Sequence, residues 1–334
     1  MSRGIFVNNK EAKKGDLILP WICSLIGVCI LFAAQFAGLF GLMIAGLDYN
    51  KYEGTYLFAY AVVALIALPF FCKLCKKLYS DNNSGISIKK PLFIDVFIIF
   101  ALAIGMIGMV NLYILIVTWI GEHMQNVQEQ LEQYSESMDR YTEISVDEVP
   151  AFDKILDYIA SAVMIPVVEE ILFRGIIVGQ FRKAYRPWVA ISVSAIVFGL
   201  VHGLSVHIGY ALLCGVIIGL VYYLTSNLVL TSIIHMCFNF FGAVLPEIIR
   251  NGAFTTDPEQ IEGILSFMVS VELYMMPAVF VGIAIFALKL RNSSGVKEQI
   301  NASDLAALNG TREAKINEDI VGGEDKNKIE IVIK

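Results

Sequence analysis

Long apolar runs alternate with short polar segments along most of the chain. The pattern predicts eight helices, at about 19–47, 56–72, 92–120, 153–181, 188–204, 208–225, 228–249 and 264–288. About 20 apolar residues cross a bilayer as a helix, so these runs read as membrane spans. The second and fifth are short, and the boundary between the fifth and sixth is soft. The first run, Leu17 to Leu47, far exceeds the roughly 7–15 apolar residues of a signal peptide and is expected to stay as an anchor. The expected fold class is therefore all-α, a polytopic membrane helical bundle of about eight transmembrane helices. One transmembrane domain is expected over 19–288, between an N-terminal segment 1–18 and a weakly ordered C-terminal tail 289–334. The tail ends in "KIEIVIK", which alternates like a strand.

Composition agrees with the pattern. The chain is 57% hydrophobic and 17% charged, against about 25% charged in soluble domains, and its mean hydropathy is +0.66. The net charge of −6 matters less than its distribution. Segments 1–18, 73–90 and 174–187 hold four, five and four basic residues. On the alternate side, 121–150 has eight acidic residues and one basic, and 246–263 has four acidic and one basic. Lys and Arg favour the cytoplasmic side, so both termini are expected to be cytoplasmic. The acidic stretch 121–150 is expected as an external connector with a surface helix.

Five of the six cysteines lie inside apolar runs and Cys75 just beyond one. That placement is no disulfide framework. Cys72 and Cys75 have the spacing of half a zinc site without a second pair, and apolar packing is the expected role. The spacings Gly175-xxx-Gly179, Gly199-xxx-Gly203 and Gly215-xxx-Gly219 suit close helix packing. Pro166, one turn before Glu169, is expected to free a backbone carbonyl and kink the fourth span.

Ionisable groups inside a membrane are costly and mark function when partners can be named. The fourth run holds "VVEEILFRG", residues 167–175. Glu170 and Arg174 are spaced i, i+4 and can pair on one face. Glu169 is rotated by about 100° from Glu170 and is expected to remain available. His202 follows Phe198 by one turn in "FGLVH", and His235 and Asn239 share a face of the seventh run. Three helices can thus bring polar groups to one point. Two chemistries fit. A carboxylate can act as general base on water that a histidine positions, with the second histidine and the asparagine stabilising an oxyanion. Alternatively two histidines and a glutamate can bind zinc and leave a position for water. His123 and His207 fall in predicted loops and are given no role. Asp95 and Asp157 are placed in first helical turns, where a carboxylate suits the helix dipole, and Glu272 lies deeper.

The ordered set Glu169-Glu170-xxx-Arg174, Phe198-xxx-His202 and His235-xxx-Asn239, on separate spans, resembles the CPBP family (CAAX protease and bacteriocin-processing, or Abi) of intramembrane endopeptidases, related to the CAAX prenyl endopeptidases. The likeness covers roughly 153–245. It implies Glu169 as the base that activates water, assisted by His202, with His235 and Asn239 stabilising the oxyanion. Glu170, Arg174 and Phe198 would support the site. Both glutamate and metal mechanisms have been described for the family. A metal, zinc if any, would be held by Glu169, His202 and His235; no cofactor is otherwise expected. A rhomboid-type serine site is not matched, since 203–207 reads Gly-Leu-Ser-Val-His, and His-Glu-x-x-His and Gly-x-Gly-Asp are absent. The expected partners are a peptide or protein substrate at the membrane and the lipid bilayer, with no nucleic acid. The expected location is a bacterial cell membrane. The alternative reading is a non-catalytic scaffold, regulator or bacteriocin self-immunity protein.

Overall fold

The computed structural model describes residues 14–78, 91–143, 149–203 and 205–292. Among them every regular element is helical. The strand-like "KIEIVIK" lies outside the described residues. The chain divides into two compact units, Met1–Ala284 and Ile285–Lys334, and the candidate site belongs to the first.

The first three apolar runs form α1 (Lys14–Ile44), α2 (Glu53–Leu78) and α3 (Phe93–Gly121). The acidic stretch 121–150 contributes an amphipathic helix, α4 (Gln125–Glu143), packed on α3. The fourth run is one helical path with two wide turns. It comprises α5 (Ala151–Ile159), a π-helical segment Ala160–Met164, α6 (Ile165–Glu170), a second π segment Ile171–Val178 and α7 (Gly179–Ala184). Then come α8 (Pro187–Leu200), α9 (Ser205–Thr225), α10 (Leu228–Asn239), a third π segment Phe240–Val244, α11 (Leu245–Arg250) and α12 (Pro258–Met275). Helix α13 (Pro277–Asn292) follows at a bend of 42°.

The protein is an integral membrane protein. Among the described residues five helices are long and apolar enough to cross a bilayer by themselves, Leu17–Ile44, Glu53–Cys75, Phe93–Gly121, Val206–Thr225 and Leu228–Arg250. The bent pair α12–α13 makes up to six. Each of the eight predicted runs is helical, but two fall short of a simple span. Helix α8 has 14 residues, about 21 Å at 1.5 Å per residue, against about 30 Å of hydrocarbon. The path 151–184 is long enough but carries the charges of the candidate site. Large apolar side chains such as Phe36, Phe40, Ile66, Phe70 and Phe93 are exposed around the outside, as lipid-facing residues must be.

The path 151–184 is the hub. Its middle is buried on all sides, with Val168, Leu172, Phe173, Ile176, Ile177 and Phe181 in one core with residues of α1, α2, α8 and α9. A helix apolar all round belongs in the interior. Close helix approach follows glycines that the spacing only partly identified. Gly199, Gly215 and Gly219 bring α8 and α9 together, where an added Cβ would press on Ile208, Ala195 and Ile191. Gly203 serves a different purpose: its φ of +78° reverses the chain between α8 and α9, a conformation only glycine adopts freely. Helix α3 also approaches α12 closely, where a Cβ on Gly108 would collide with the Glu272 carbonyl.

The start of α2 is tied to the start of α5. Asp153, buried, accepts from Gly54 N–H (2.8 Å), Thr55 N–H (2.8 Å) and the Thr55 hydroxyl (2.5 Å). A carboxylate from another helix thus satisfies donors that a helix N-terminus leaves open. The first-turn carboxylate of this path is therefore Asp153. Asp157 lies further along α5 and accepts from the Ser161 hydroxyl at 2.7 Å. Asp95 lies in the first turn of α3 as expected and accepts from the Leu92 N–H at 3.0 Å. Asp153→Ala is expected to destabilise the protein by about 2–3 kcal/mol, since charged hydrogen bonds are lost. Asp153→Asn, which keeps an acceptor, should lose less. Thermal unfolding in detergent checks both.

Candidate active site

Glu169 and Glu170 close α6, and Arg174 follows in the second wide turn. Arg174 Nη1 lies 2.9 Å from Glu170 Oε1, and both side chains are completely buried. Arg174 also donates through Nη2 to the Gly215 carbonyl of α9 at 3.2 Å, and its guanidinium sits 5.4 Å from the centre of the Phe198 ring, within cation–π range. The pair is not fully served. Nη1 is off the hydrogen-bond direction despite its short distance, and Glu170 Oε2 and Arg174 Nε have no hydrogen-bond partner among the protein atoms. A buried pair of this kind adds little net stability, so its presence points to a role beyond packing.

His235 of α10 meets both carboxylates. Its Nδ1 lies 3.1 Å from Glu170 Oε1 and its Nε2 lies 3.4 Å from Glu169 Oε2. The sequence left Glu169 pointing away from the Glu170 partners. Instead the two neighbouring glutamates take opposite nitrogens of one imidazole. They differ in access: the Glu169 side chain is 13% exposed and that of Glu170 is 0% exposed. With Glu170 ionised beside Arg174, Nδ1 of His235 carries a hydrogen toward it. That leaves Nε2 as the atom turned to Glu169.

Phe198 is the pivot of the cluster. Its ring packs edge-on to Phe173 (4.9 Å), His202 (4.7 Å) and His235 (5.8 Å). His202 lies just past the end of α8, with Nδ1 2.6 Å from the Phe198 carbonyl. A carbonyl only accepts, so Nδ1 carries the hydrogen and Nε2 of the neutral ring is an acceptor. Among the described residues no hydrogen bond or ion pair joins His202 to Glu169. No group of three or more His, Cys, Asp or Glu side chains among them gathers closely enough to hold a metal. The set Glu169, His202 and His235 therefore does not form a zinc site in this arrangement.

Asn239 ends α10, and its Nδ2 donates to the Ser161 carbonyl at 3.0 Å. Pro166 explains why that carbonyl is free. In the wide turn Ile165 N–H reaches back five residues to the Ala160 carbonyl. The next donor in that register would be residue 166, which as proline has no N–H. Asn239 supplies the missing donor from another helix. The third wide turn, Phe240–Val244, is likewise followed by a proline, Pro246, and the first and third wide turns pack together.

Other sequence candidates lie elsewhere. Glu272 is buried and bonds Asn111 of α3 at 2.7 Å. His123 is exposed and bonds the Trp119 carbonyl. Cys23, Cys72 and Cys75 lie buried in the main core. Three residues near the site carry no role in the sequence reading. Tyr60 of α2 is buried beside the Gln35 side chain of α1 and within electrostatic reach of Glu169. Neither carries a motif, and only packing of α1 and α2 on the hub brings them there. His207 is the third. It lies in the first turn of α9 with its ring 4.5 Å from that of His202, and its sequence signal was its place five residues after His202 across Gly203.

The fold and the site together define an all-helical membrane protein with a carboxylate–imidazole cluster inside the bundle. Residues 151–241 match the family model described as type II CAAX prenyl endopeptidase Rce1-like. The match covers all seven site residues of the motif set and is consistent with the CPBP/CAAX protease family. It supports a CAAX-type intramembrane protease in general terms, a hydrolase with a peptide or protein substrate in a membrane environment. Comparison with curated proteins gives no match, and comparison with solved structures gives none.

Two double-variant experiments test this geometry. Arg174→Met leaves the Glu170 carboxylate buried and unpaired and is expected to cost about 3–5 kcal/mol. Adding Glu170→Gln should recover much of that loss, read by thermal unfolding in detergent. Asn239→Ala is expected to cost about 1–3 kcal/mol by orphaning the Ser161 carbonyl. In a Pro166→Ala background, where residue 166 regains an N–H, the same change should cost measurably less.

Proposed function

We propose that the protein is an intramembrane endopeptidase in which Glu169 activates the hydrolytic water. The observation that supports this reading best is the asymmetry of the two glutamates. Glu170 is sealed and paired with Arg174, whereas Glu169 shares the same imidazole and remains partly open.

In this mechanism Glu169 takes a proton from water as the water oxygen attacks the scissile carbonyl. His202 offers Nε2 as a second acceptor that orients the water, its Nδ1 being held by the Phe198 carbonyl. The oxyanion that forms is met by His235 in its doubly protonated form, with Nδ1–H held at Glu170 and Nε2–H donated to the oxyanion, and by the second Nδ2 hydrogen of Asn239. Arg174 fixes Glu170, and Phe198 fixes the mutual placement of Arg174 and the two imidazoles. Collapse of the tetrahedral intermediate breaks the C–N bond. The proton on Glu169 passes to the leaving amine, giving a carboxylate and an amine. No step is routed through a metal, since the donor set for zinc does not gather. The substrate class is a membrane-associated peptide or protein tail, and the family resemblance extends it to prenylated tails, leader peptides, pheromones and bacteriocin precursors.

The test compares peptides from cells expressing wild type and Glu169→Gln at matched levels, by mass spectrometry. A product present only with wild type is expected. Turnover of that substrate by Glu169→Gln should fall by about 10²–10⁴-fold, the usual share of general base catalysis, with thermal stability nearly unchanged. Identical peptide profiles, with the variant still rescuing a deletion phenotype, would overturn the protease reading and leave a membrane scaffold.

A further inference from the structure

We propose that His207 is a positioning residue that holds the His202 ring in place. His202 lies two residues beyond Leu200, the last residue of α8, so no further helical turn flanks it. A hydrogen bond from Nδ1 to the Phe198 carbonyl (2.6 Å) and the edge of the Phe198 ring (4.7 Å) fix it from one side. The chain then reverses at Gly203, whose φ is +78°. That reversal returns His207 onto His202, with ring centres 4.5 Å apart and planes at 52°. His202 thus packs against both a phenylalanine and a second imidazole.

His207 is itself anchored. Its ring stacks on Tyr210, one turn along α9, at 4.6 Å and 22°. Tyr210 packs edge-on against Tyr113 of α3 and Tyr134 of α4, each at 6.4 Å. Gly209 permits this approach, since any side chain there would collide with the Tyr113 phenol. Among the described residues no hydrogen bond is made by either nitrogen of His207, so its contact with His202 is one of packed rings. The chain of rings links the candidate site to α4, the helix of the acidic stretch that sequence reading treated as a connector.

The effect on rate rests on the endopeptidase reading, but the positioning has a readout of its own. The chain has four histidines, so ring-¹⁵N histidine labelling of the full protein in lipid nanodiscs gives few signals, assignable with single His→Gln variants. In wild type, His202 should show one set of signals with Nδ1 protonated. In His207→Ala these signals should split or broaden as the ring gains a second rotamer, and in His207→Phe, which keeps a ring at the contact, they should return to one set. Unchanged His202 signals in His207→Ala would overturn the proposal.

On the substrate identified with wild type, His207→Ala should lower kcat by about 10–100-fold with KM changed less than about threefold, since an ångström of misplacement can cost about 100-fold. His207→Phe should stay within about threefold of wild type. A displaced His202 with unchanged kcat would overturn the role of this placement in the reaction. If Glu169→Gln abolishes no peptide product, the endopeptidase reading fails while the nuclear magnetic resonance result still decides whether His207 holds His202.

Discussion

The arrangement depends on one buried ion pair. Glu170 and Arg174 lie inside the bundle with no exposed side-chain surface, where an isolated charge would be prohibitively costly. Each is met by polar or π-bearing groups of other helices. Arg174 takes the Gly215 carbonyl of α9 and the Phe198 ring of α8, and Glu170 takes Nδ1 of His235 from α10. Through these contacts one i, i+4 pair orients three other helices. Residual unserved atoms on the pair show that it is not optimised for stability. Its consequence is placement: it determines which nitrogen of His235 turns to Glu169.

A second constraint is the backbone. Inside a membrane every carbonyl and N–H must find a partner within the protein. The hub departs from regular α-helix at two wide turns, and Pro166 removes a donor near the first. The Asn239 amide fills that place on the Ser161 carbonyl. An asparagine assigned to oxyanion stabilisation therefore also holds two broken helices together. The two roles are compatible because an amide nitrogen has two hydrogens and the carbonyl uses one. Wide turns are frequent near functional sites, and here they let α6 and α10 present polar side chains to each other without leaving backbone groups bare.

The helices outside the matched segment do more than anchor. Asp153 fixes the start of α2 to the hub, and α1 and α2 bring Gln35 and Tyr60 toward Glu169. On the opposite flank, α3 and α4 support the ring chain that ends at His202. The site is thus built from residues 151–241 but walled by elements from the rest of the bundle.

The sequence by itself determined the class of fold and the candidate residues of the site. Apolar runs of bilayer length can only be helices in lipid, and charges are so costly there that Glu169, Glu170, Arg174, His202 and His235 stood out without coordinates. Spacing was enough for the contact of Glu170 with Arg174, because helical geometry fixes which residues share a face. Contacts between helices were beyond it. That both glutamates meet one imidazole, that Asn239 reaches Ser161, that Asp153 caps α2, and that His207 returns onto His202 all depend on how helices rotate and approach, which is decided by packing summed over the whole bundle. The span count shows the same limit. Hydropathy located eight helical runs, but the charges of the hub and the short length of α8 make sense only in a bundle that shelters them.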